Sequence, residues 1–129
     1  MISVDTNIII RFLTHDDDLQ YKKAFSIFDS NEVFIPDTVI LETEWVLRFA
    51  YEFTSENICF AFNNLFGLKN VHLKNAAQIA QAIDWHKNGL DFADALHLAH
   101  SQYLKTMYSF DKSFSTKSKG LTNCSVISP

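Results

Sequence analysis

Two periodicities of apolar and polar residues alternate along the chain. Short apolar runs predict strands at residues 2–5, 32–37, 70–74, 106–111 and 122–128. Longer segments with apolar residues three and four apart predict intervening helices at 6–15, 16–31, 38–53, 54–68, 75–89 and 91–103, and residues 112–119 are expected to form a short helix or a loop. Strands that alternate with helices favour a parallel sheet covered on both faces, and therefore an α/β fold.

The stretch GLDFADALHLAH, residues 89–100, carries two aspartates at the start of an apolar helix. Phe92, Leu96, Ala99 and Tyr103 follow helical spacing and predict one buried stripe. Asp91 and Asp94, three residues apart, share a different face of the helix. Capping explains both, because an aspartate can accept from open backbone N–H groups and is favoured in a first helical turn.

Two further aspartates follow predicted strands. Asp5 ends the first strand and precedes a helix that Thr6 or Asn7 could cap, and Asp111 ends the strand over 106–111. Ligands of α/β folds bind at the carboxyl ends of strands, so both positions suit a functional site. Capping at Asp5 and turn initiation at Asp111 are the structural alternatives.

Glu42 is predicted to interrupt an apolar stripe formed by Val39, Val46 and Phe49. A carboxylate facing the core needs a cation or a donor, because burying it unpaired costs several kcal/mol. A buried ion pair with Arg11 is the structural alternative for Glu42.

Glu44 has Arg48 four residues later, which is the spacing of an exposed helix pair. Glu44 is therefore expected to have no role in the site.

Four carboxylates could converge at one edge of the predicted sheet: Asp5, Glu42, Asp94 and Asp111. Ionised carboxylates share a small volume only when a cation compensates them. Oxygen ligands select Mg²⁺ or Mn²⁺ over zinc, and a water activated by such an ion can attack a phosphodiester. An alternative transition-metal site of Asp94, His97 and His100 lacks further Cys or His ligands.

Composition predicts one cytoplasmic domain. The 129 residues are 47% hydrophobic, and Cys59 and Cys124 lack metal-ligand spacing, as expected for free thiols in a reducing compartment. No basic segment precedes an apolar stretch at the N-terminus, and no apolar run is long enough to span a bilayer. Four aromatic residues are expected to lie mostly in the core, with a dimer or partner surface as the alternative. They are Trp45, Phe60, Phe62 and Phe66.

Charge is distributed unevenly along the chain. The net charge is −4, but residues 101–129 carry four lysines against Asp111 alone. An acidic protein is not an indiscriminate nucleic-acid binder, although a basic C-terminal patch could steer a phosphate backbone. A solvated lysine face accounts for the same residues.

Four segments resemble the PIN-domain nucleases, and among them the VapC-type ribonuclease toxins of bacterial toxin–antitoxin pairs. They are VDTNIIIRFL, VILETEWVL, DFADALHLA and SFDKSF, which occur in this order. The resemblance covers essentially the whole chain. It implies a three-layer α/β/α PIN-like fold over residues 1–129, with a central, mainly parallel sheet of four to five strands.

The resemblance also implies a site and partners. Asp5, Glu42, Asp94 and Asp111 occupy the family's acidic metal-binding and catalytic positions. Supporting positions fall on Thr6, Asn7 and Ser109, and Asp91 is interpreted as a helix cap or an outer-shell acid. The family implies RNA cleavage dependent on Mg²⁺ or Mn²⁺, a cognate antitoxin, and frequent homodimers.

We therefore expect a metal-dependent endoribonuclease that acts as a toxin. A second hypothesis is a non-catalytic PIN-fold module that binds RNA or a protein, although all four acidic positions are filled. A third is a receiver-like domain phosphorylated on aspartate, which requires an acid pair after the first strand, where this chain has Asp5 alone.

Overall fold

A computed structural model describes all 129 residues. The chain divides into two compact units, Met1–Ala76 and Ala77–Pro129. The prediction of one domain over residues 1–129 stays a prediction. No helix has the length and apolar character needed to cross a membrane.

The first unit contains three parallel strands and four helices. In chain order these are β1 (Ile2–Ser3), α1 (Thr6–Thr14), α2 (Asp18–Ser30), β2 (Val33–Phe34), α3 (Asp37–Phe49), α4 (Ser55–Phe66) and β3 (Val71–His72). The sheet order is β1-β2-β3. Val33 at its centre pairs with both Ile2 and Val71. The central strand is fully buried at Val33, which explains its continuous apolar sequence.

The second unit contains three helices and a parallel strand pair. The helices are α5 (Ala76–Lys87, beginning at the unit boundary), α6 (Phe92–Ser101) and α7 (Lys112–Ser118). The strands β4 (Thr106–Tyr108) and β5 (Ser125–Ile127) pair in register from Thr106 opposite Ser125 to Tyr108 opposite Ile127. Helix α7 packs against β5.

The α/β fold class is confirmed, and every strand pair is parallel. The five strands are hydrogen-bonded as a three-stranded and a two-stranded sheet. Each strand has only two or three residues, so the predicted strands were too long at their ends. The predicted stripe of α6 is buried at Phe92, Leu96 and Ala99, but Tyr103 is exposed because the helix ends at Ser101.

A polar network fixes the end of α1 in the first unit. Arg11 Nη1 donates to both oxygens of Asp16, at 2.9 and 3.0 Å, and the Tyr51 hydroxyl donates to Asp16 Oδ2 at 2.7 Å. The hydrogen bond from Tyr51, with further contributions from Thr14 and Arg11, lowers the pKa of Asp16 to about 2. Arg11 therefore pairs with Asp16, and its predicted pairing with Glu42 is wrong.

Replacing Tyr51 with Phe is expected to raise the pKa of Asp16 toward its ordinary value of 3.8. Because the folded-state pKa is depressed, this network stabilises the fold above about pH 3.8 and is lost as pH falls toward 2. A ¹³C NMR titration of the Asp16 carboxyl in both proteins checks the shift. If the Asp16 carboxyl titrates identically in wild type and Tyr51→Phe, Tyr51 is not the main cause of its lowered pKa.

Candidate active site

Asp5 caps helix α1 at the end of the first strand. Its side chain accepts from Ile8 N through Oδ1, at 3.2 Å, so Asp5 is the cap rather than Thr6 or Asn7. Asp5 and Asn7 are both exposed and line one cleft of about 900 Å³ in the first unit, together with Arg11 and Lys23. The cleft therefore combines one carboxylate, three amide side chains (Asn7, Gln20 and Asn31) and two cationic side chains.

Glu42 is exposed, so the prediction that it faces the core is wrong. Two members of its predicted stripe, Val39 and Val46, are only half-buried, and the third, Phe49, is exposed. Glu42 does have a specific partner, because the hydroxyl of Thr6 donates to its Oε1. Thr6 is buried at the start of α1, so this hydrogen bond connects α1 to α3 and orients the carboxylate.

The buried acid of helix α3 is Glu44, which is only 1% exposed. It accepts from Arg48 in the same helix, with Nη2 to Oε1 at 3.0 Å. The predicted pair with Arg48 is confirmed, but its predicted exposure is wrong. The signal lies in the spacing of Ile40, Thr43, Glu44 and Leu47, which follows i, i+3, i+4, i+7 and is the buried face of the helix.

Asp91 and Asp94 lie in different surroundings at the start of helix α6. Asp91 is the N-cap of α6, and its Oδ2 accepts from Asp94 N at 3.2 Å, so the capping prediction is confirmed. Asp94 is half-buried in the first turn. Burial raises its pKa, as do the negative charges of Asp91 and Asp111, while His97 acts in the opposite direction.

Asp111 is the N-cap of α7. Its Oδ1 accepts from Phe114 N at 3.1 Å, and its own backbone N–H donates to Ser109 Oγ at 3.0 Å. Ser109 thus holds the turn that carries Asp111. Asp111 lies in the same unit as Asp94, and its negative charge is one of the causes that raise the pKa of Asp94.

Helix capping and ligand binding are compatible at Asp5 and Asp111. Each cap uses Oδ1 of the carboxylate, which leaves Oδ2 as a potential ligand. The cap also restricts the rotation of the side chain, so part of the entropy cost of binding a ligand is met when the helix forms. The structural alternatives for these two positions therefore do not compete with a functional role.

Neither unit by itself groups three or more His, Cys, Asp or Glu side chains closely enough to hold a metal ion. Asp5 and Glu42 lie in the first unit, and Asp94 and Asp111 lie in the second. The alternative site of Asp94, His97 and His100 is not formed, since all three residues lie in the second unit.

Comparison with known families decides between the fold-level hypotheses. A family model described as the PIN domain matches residues 2–120. The chain belongs to the PIN domain family.

The PIN domain match extends from Asp5 to beyond Asp111 and includes all eight predicted site residues. The resemblance in the sequence is therefore confirmed at the level of the family, and the receiver-like hypothesis is wrong. Among solved structures, the chain is similar to Mycobacterium tuberculosis VapC20, a sarcin-ricin loop cleaving toxin, with 21% identity, 95% and 98% of the two chains covered, and a TM-score of 0.46. No curated protein matches significantly.

Proposed function

We propose that this PIN domain protein is a metal-dependent endoribonuclease and the toxin of a type II toxin–antitoxin system. The observation that carries the proposal is the PIN domain match over residues 2–120, which contains every acid of the predicted site. The reaction is hydrolysis of RNA phosphodiester bonds. Cys59 and Cys124 are both buried, and the proposed place of action is the cytoplasm.

The donor chemistry fits a hard divalent cation. The proposed ligands are Asp5, Glu42, Asp94 and Asp111, and all of them offer carboxylate oxygen, which Mg²⁺ and Mn²⁺ prefer. Burial raises the pKa of Asp94, and the negative charges of Asp91 and Asp111 raise it further; a bound cation would favour the ionised carboxylate in this setting. When bound, such an ion supplies a water of lowered pKa and offsets the charge of the phosphate.

The remaining catalytic work belongs to side chains of this protein. Asp5 and Asp111 offer Oδ2 while their caps hold Oδ1. Glu42, oriented by the hydroxyl of Thr6, would orient the attacking water or accept its proton. Ser109 holds the turn at Asp111, and Asn7 is a further supporting side chain beside Asp5.

Removing the Thr6 hydroxyl is expected to weaken catalysis without removing a ligand. Thr6→Val keeps the shape of the side chain but leaves Glu42 without its donor, and loss of an orienting partner typically costs about 10- to 100-fold in activity. Thr6→Ser retains the hydroxyl and should retain most of the activity. Measured kcat values for both variants check this, and equal rates for Thr6→Val and wild type would contradict it.

The proposed function is tested by incubating the purified protein with total tRNA and ribosomal RNA in Mn²⁺ or Mg²⁺. Discrete products that disappear in EDTA support the ribonuclease. RNA binding that survives EDTA, with no turnover on any substrate, would instead favour the non-catalytic binding module. Expression in bacteria tests the role as a toxin, since growth arrest should require the same residues as cleavage.

The proposed partners are RNA, a cognate antitoxin and a second copy of the chain. Helices α3 and α4 expose large aromatic side chains, with Trp45 at 57% and Phe60 at 69%, so the prediction of a core position is wrong for both, whereas Phe62 is buried. Trp45 also contacts the exposed Phe49. Exposed aromatic clusters typically mark interfaces, and we place the homodimer contact here. Light scattering on wild type and Trp45→Ser tests this homodimer contact.

A further inference from the structure

The strand pair of the second unit buries one face and exposes the other. Val126 is buried and its register partner Met107 is half-buried. The next positions along both strands, Tyr108 and its partner Ile127, are exposed. Because side chains alternate along a strand, Tyr108 and Ile127 share the solvent-facing side of the sheet.

Phe110 extends this exposed face toward the proposed site. The ladder continues past β4, since Ser109 N donates to Ile127 O at 3.0 Å. Phe110 lies two residues after Tyr108, and its side chain is 84% exposed, the highest value among the large hydrophobic residues. Tyr108 is 66% exposed. Tyr108 and Phe110 are called the aromatic platform below.

Exposure of this extent is unfavourable for an isolated protein. Burying a phenylalanine side chain is favourable, and the exposed Phe110 leaves most of that contribution unrealised. Phe110 also immediately precedes Asp111, which the proposed function assigns as a ligand. The most exposed aromatic ring of the chain is therefore covalently adjacent to an acid of the proposed site.

Lysine residues flank the aromatic platform along the chain. Lys105 directly precedes β4, and Lys112 is the first residue of α7, so exposed lysines lie at both ends of the platform segment. Residues 101–129 contain four lysines against Asp111 alone, in a chain whose net charge is −4. The platform therefore lies in the most basic part of an acidic protein, and this favours a polyanionic occupant.

We infer that the aromatic platform binds single-stranded RNA by base stacking and holds the strand beside Asp111. This inference rests on the proposed ribonuclease function. Tyr108 and Phe110 would each stack on a base, and Lys105 and Lys112 would contact the phosphates on either side. Aromatic rings interleaved with cations are the usual means of binding single strands without reading their sequence.

The occupant is single-stranded rather than duplex RNA. Bases inside a duplex already stack on their neighbours, so their faces are not accessible to Tyr108 and Phe110, whereas bases in loops and single strands are. A substrate cleaved at this site should therefore present an unpaired segment of at least two nucleotides. A protein partner could also cover the rings, but it would have no need of the lysines at both ends.

Fluorescence anisotropy with a labelled 12-nucleotide oligouridine tests the inference directly. All proteins carry Asp94→Asn, so that the probe is not cleaved. Phe110→Ala is expected to weaken binding about 5- to 150-fold, the range expected for loss of one stacked base. Phe110→Trp should retain binding and Phe110→Leu should not, because stacking requires a ring and not merely apolar surface. Phe25→Ala, an exposed phenylalanine of α2 outside the proposed site and the proposed dimer contact, is the matched control and should bind like its parent.

The contribution of the two lysines is measured separately, through the salt dependence of RNA binding. Lys105→Gln and Lys112→Gln should each lower the slope of log affinity against log salt by about 0.7, the value for one phosphate contact on a single strand. A fully paired RNA of the same length should bind more weakly and should not respond to Phe110→Ala.

The outcome of the binding test is independent of the outcome for catalysis. Failure of the wild-type protein to cleave RNA overturns the proposed function, but weaker oligouridine binding by Phe110→Ala would still support the platform. In active protein, Phe110→Ala should raise KM more than it lowers kcat. Equal oligouridine affinity for the parent, Phe110→Ala and Phe110→Leu overturns the inference, as does the absence of measurable binding by the parent. A loss of self-association in Phe110→Ala with unchanged RNA affinity also overturns it, and assigns the face to protein contact.

Discussion

Asp94→Asn is expected to reduce RNA cleavage by at least about 100-fold and to leave the protein no less stable than wild type. Loss of an outer partner of a metal ligand already costs 10- to 100-fold, so loss of a ligand should cost at least as much. The stability result follows from the raised pKa of Asp94. Burial and the charges of Asp91 and Asp111 disfavour its ionised form in the folded protein.

The raised pKa of Asp94 fixes the sign of the stability change that Asp94→Asn should cause. Because the folded-state pKa of Asp94 is raised, its ionisation removes stability as pH rises through that pKa, and the ionised residue is destabilising at neutral pH. A neutral amide removes the penalty, so the melting temperature of Asp94→Asn in EDTA should equal or exceed that of wild type. Cleavage kinetics check the predicted loss of activity, and thermal melts check the predicted stability. A destabilised Asp94→Asn protein, or one with wild-type activity, would contradict the assignment of Asp94.

Asp5→Asn is the second substitution with a large expected effect. Asparagine is as good an N-cap as aspartate, so the hydrogen bond from Ile8 N can persist and helix α1 should retain its stability. The negative charge needed to hold a divalent cation is lost, so cleavage should fall about 100-fold or more. Parallel measurement of kcat/KM and thermal stability separates the two roles of this residue.

Asp17→Asn supplies the matched control. Asp17 caps α2 in the same way, accepting from Gln20 N at 3.0 Å, and has no place in the proposed site. Both variants should melt like wild type, and only Asp5→Asn should lose activity. If both lose activity to the same extent, the defect reflects helix capping or charge, and Asp5 has no special function.

Local sequence rules predicted much of the fold because they depend on neighbouring residues. The first unit confirms the capping alternative at Asp5, and the second unit confirms the cap at Asp91. The helices were located to within a few residues of their observed ends. The strands were less accurate, because backbone pairing with other strands defines their ends, and those partners are distant in sequence.

The acids of α3 show where local rules fail. Glu42 and Glu44 lie two residues apart and therefore on different faces of the helix, and the sequence offered apolar neighbours for either choice. The buried face passes through Thr43 and Glu44, both polar, so hydrophobic periodicity identified the wrong side. The contact between Thr6 and Glu42, which joins residues 36 positions apart, could not be read from any local pattern.

The candidate site was predictable by motif but not by geometry. The order of four motifs located the acids, and the PIN domain match covers all of them. The dual use of Asp5 and Asp111, as caps through Oδ1 and as potential ligands through Oδ2, required atomic positions. Exposure of the aromatic platform likewise appeared only in the structure, because alternating Tyr108 and Phe110 are equally consistent with a buried strand face.

The central claim is that acidic residues of this PIN domain cleave RNA with a divalent metal ion. The most direct measurement is cleavage of total tRNA and ribosomal RNA by the purified protein in Mn²⁺, alongside the same reaction in EDTA and with Asp94→Asn. We predict discrete products with Mn²⁺ and none in either control. Cleavage that persists in EDTA and in Asp94→Asn would contradict the claim, since the activity would then depend neither on a metal ion nor on this acid.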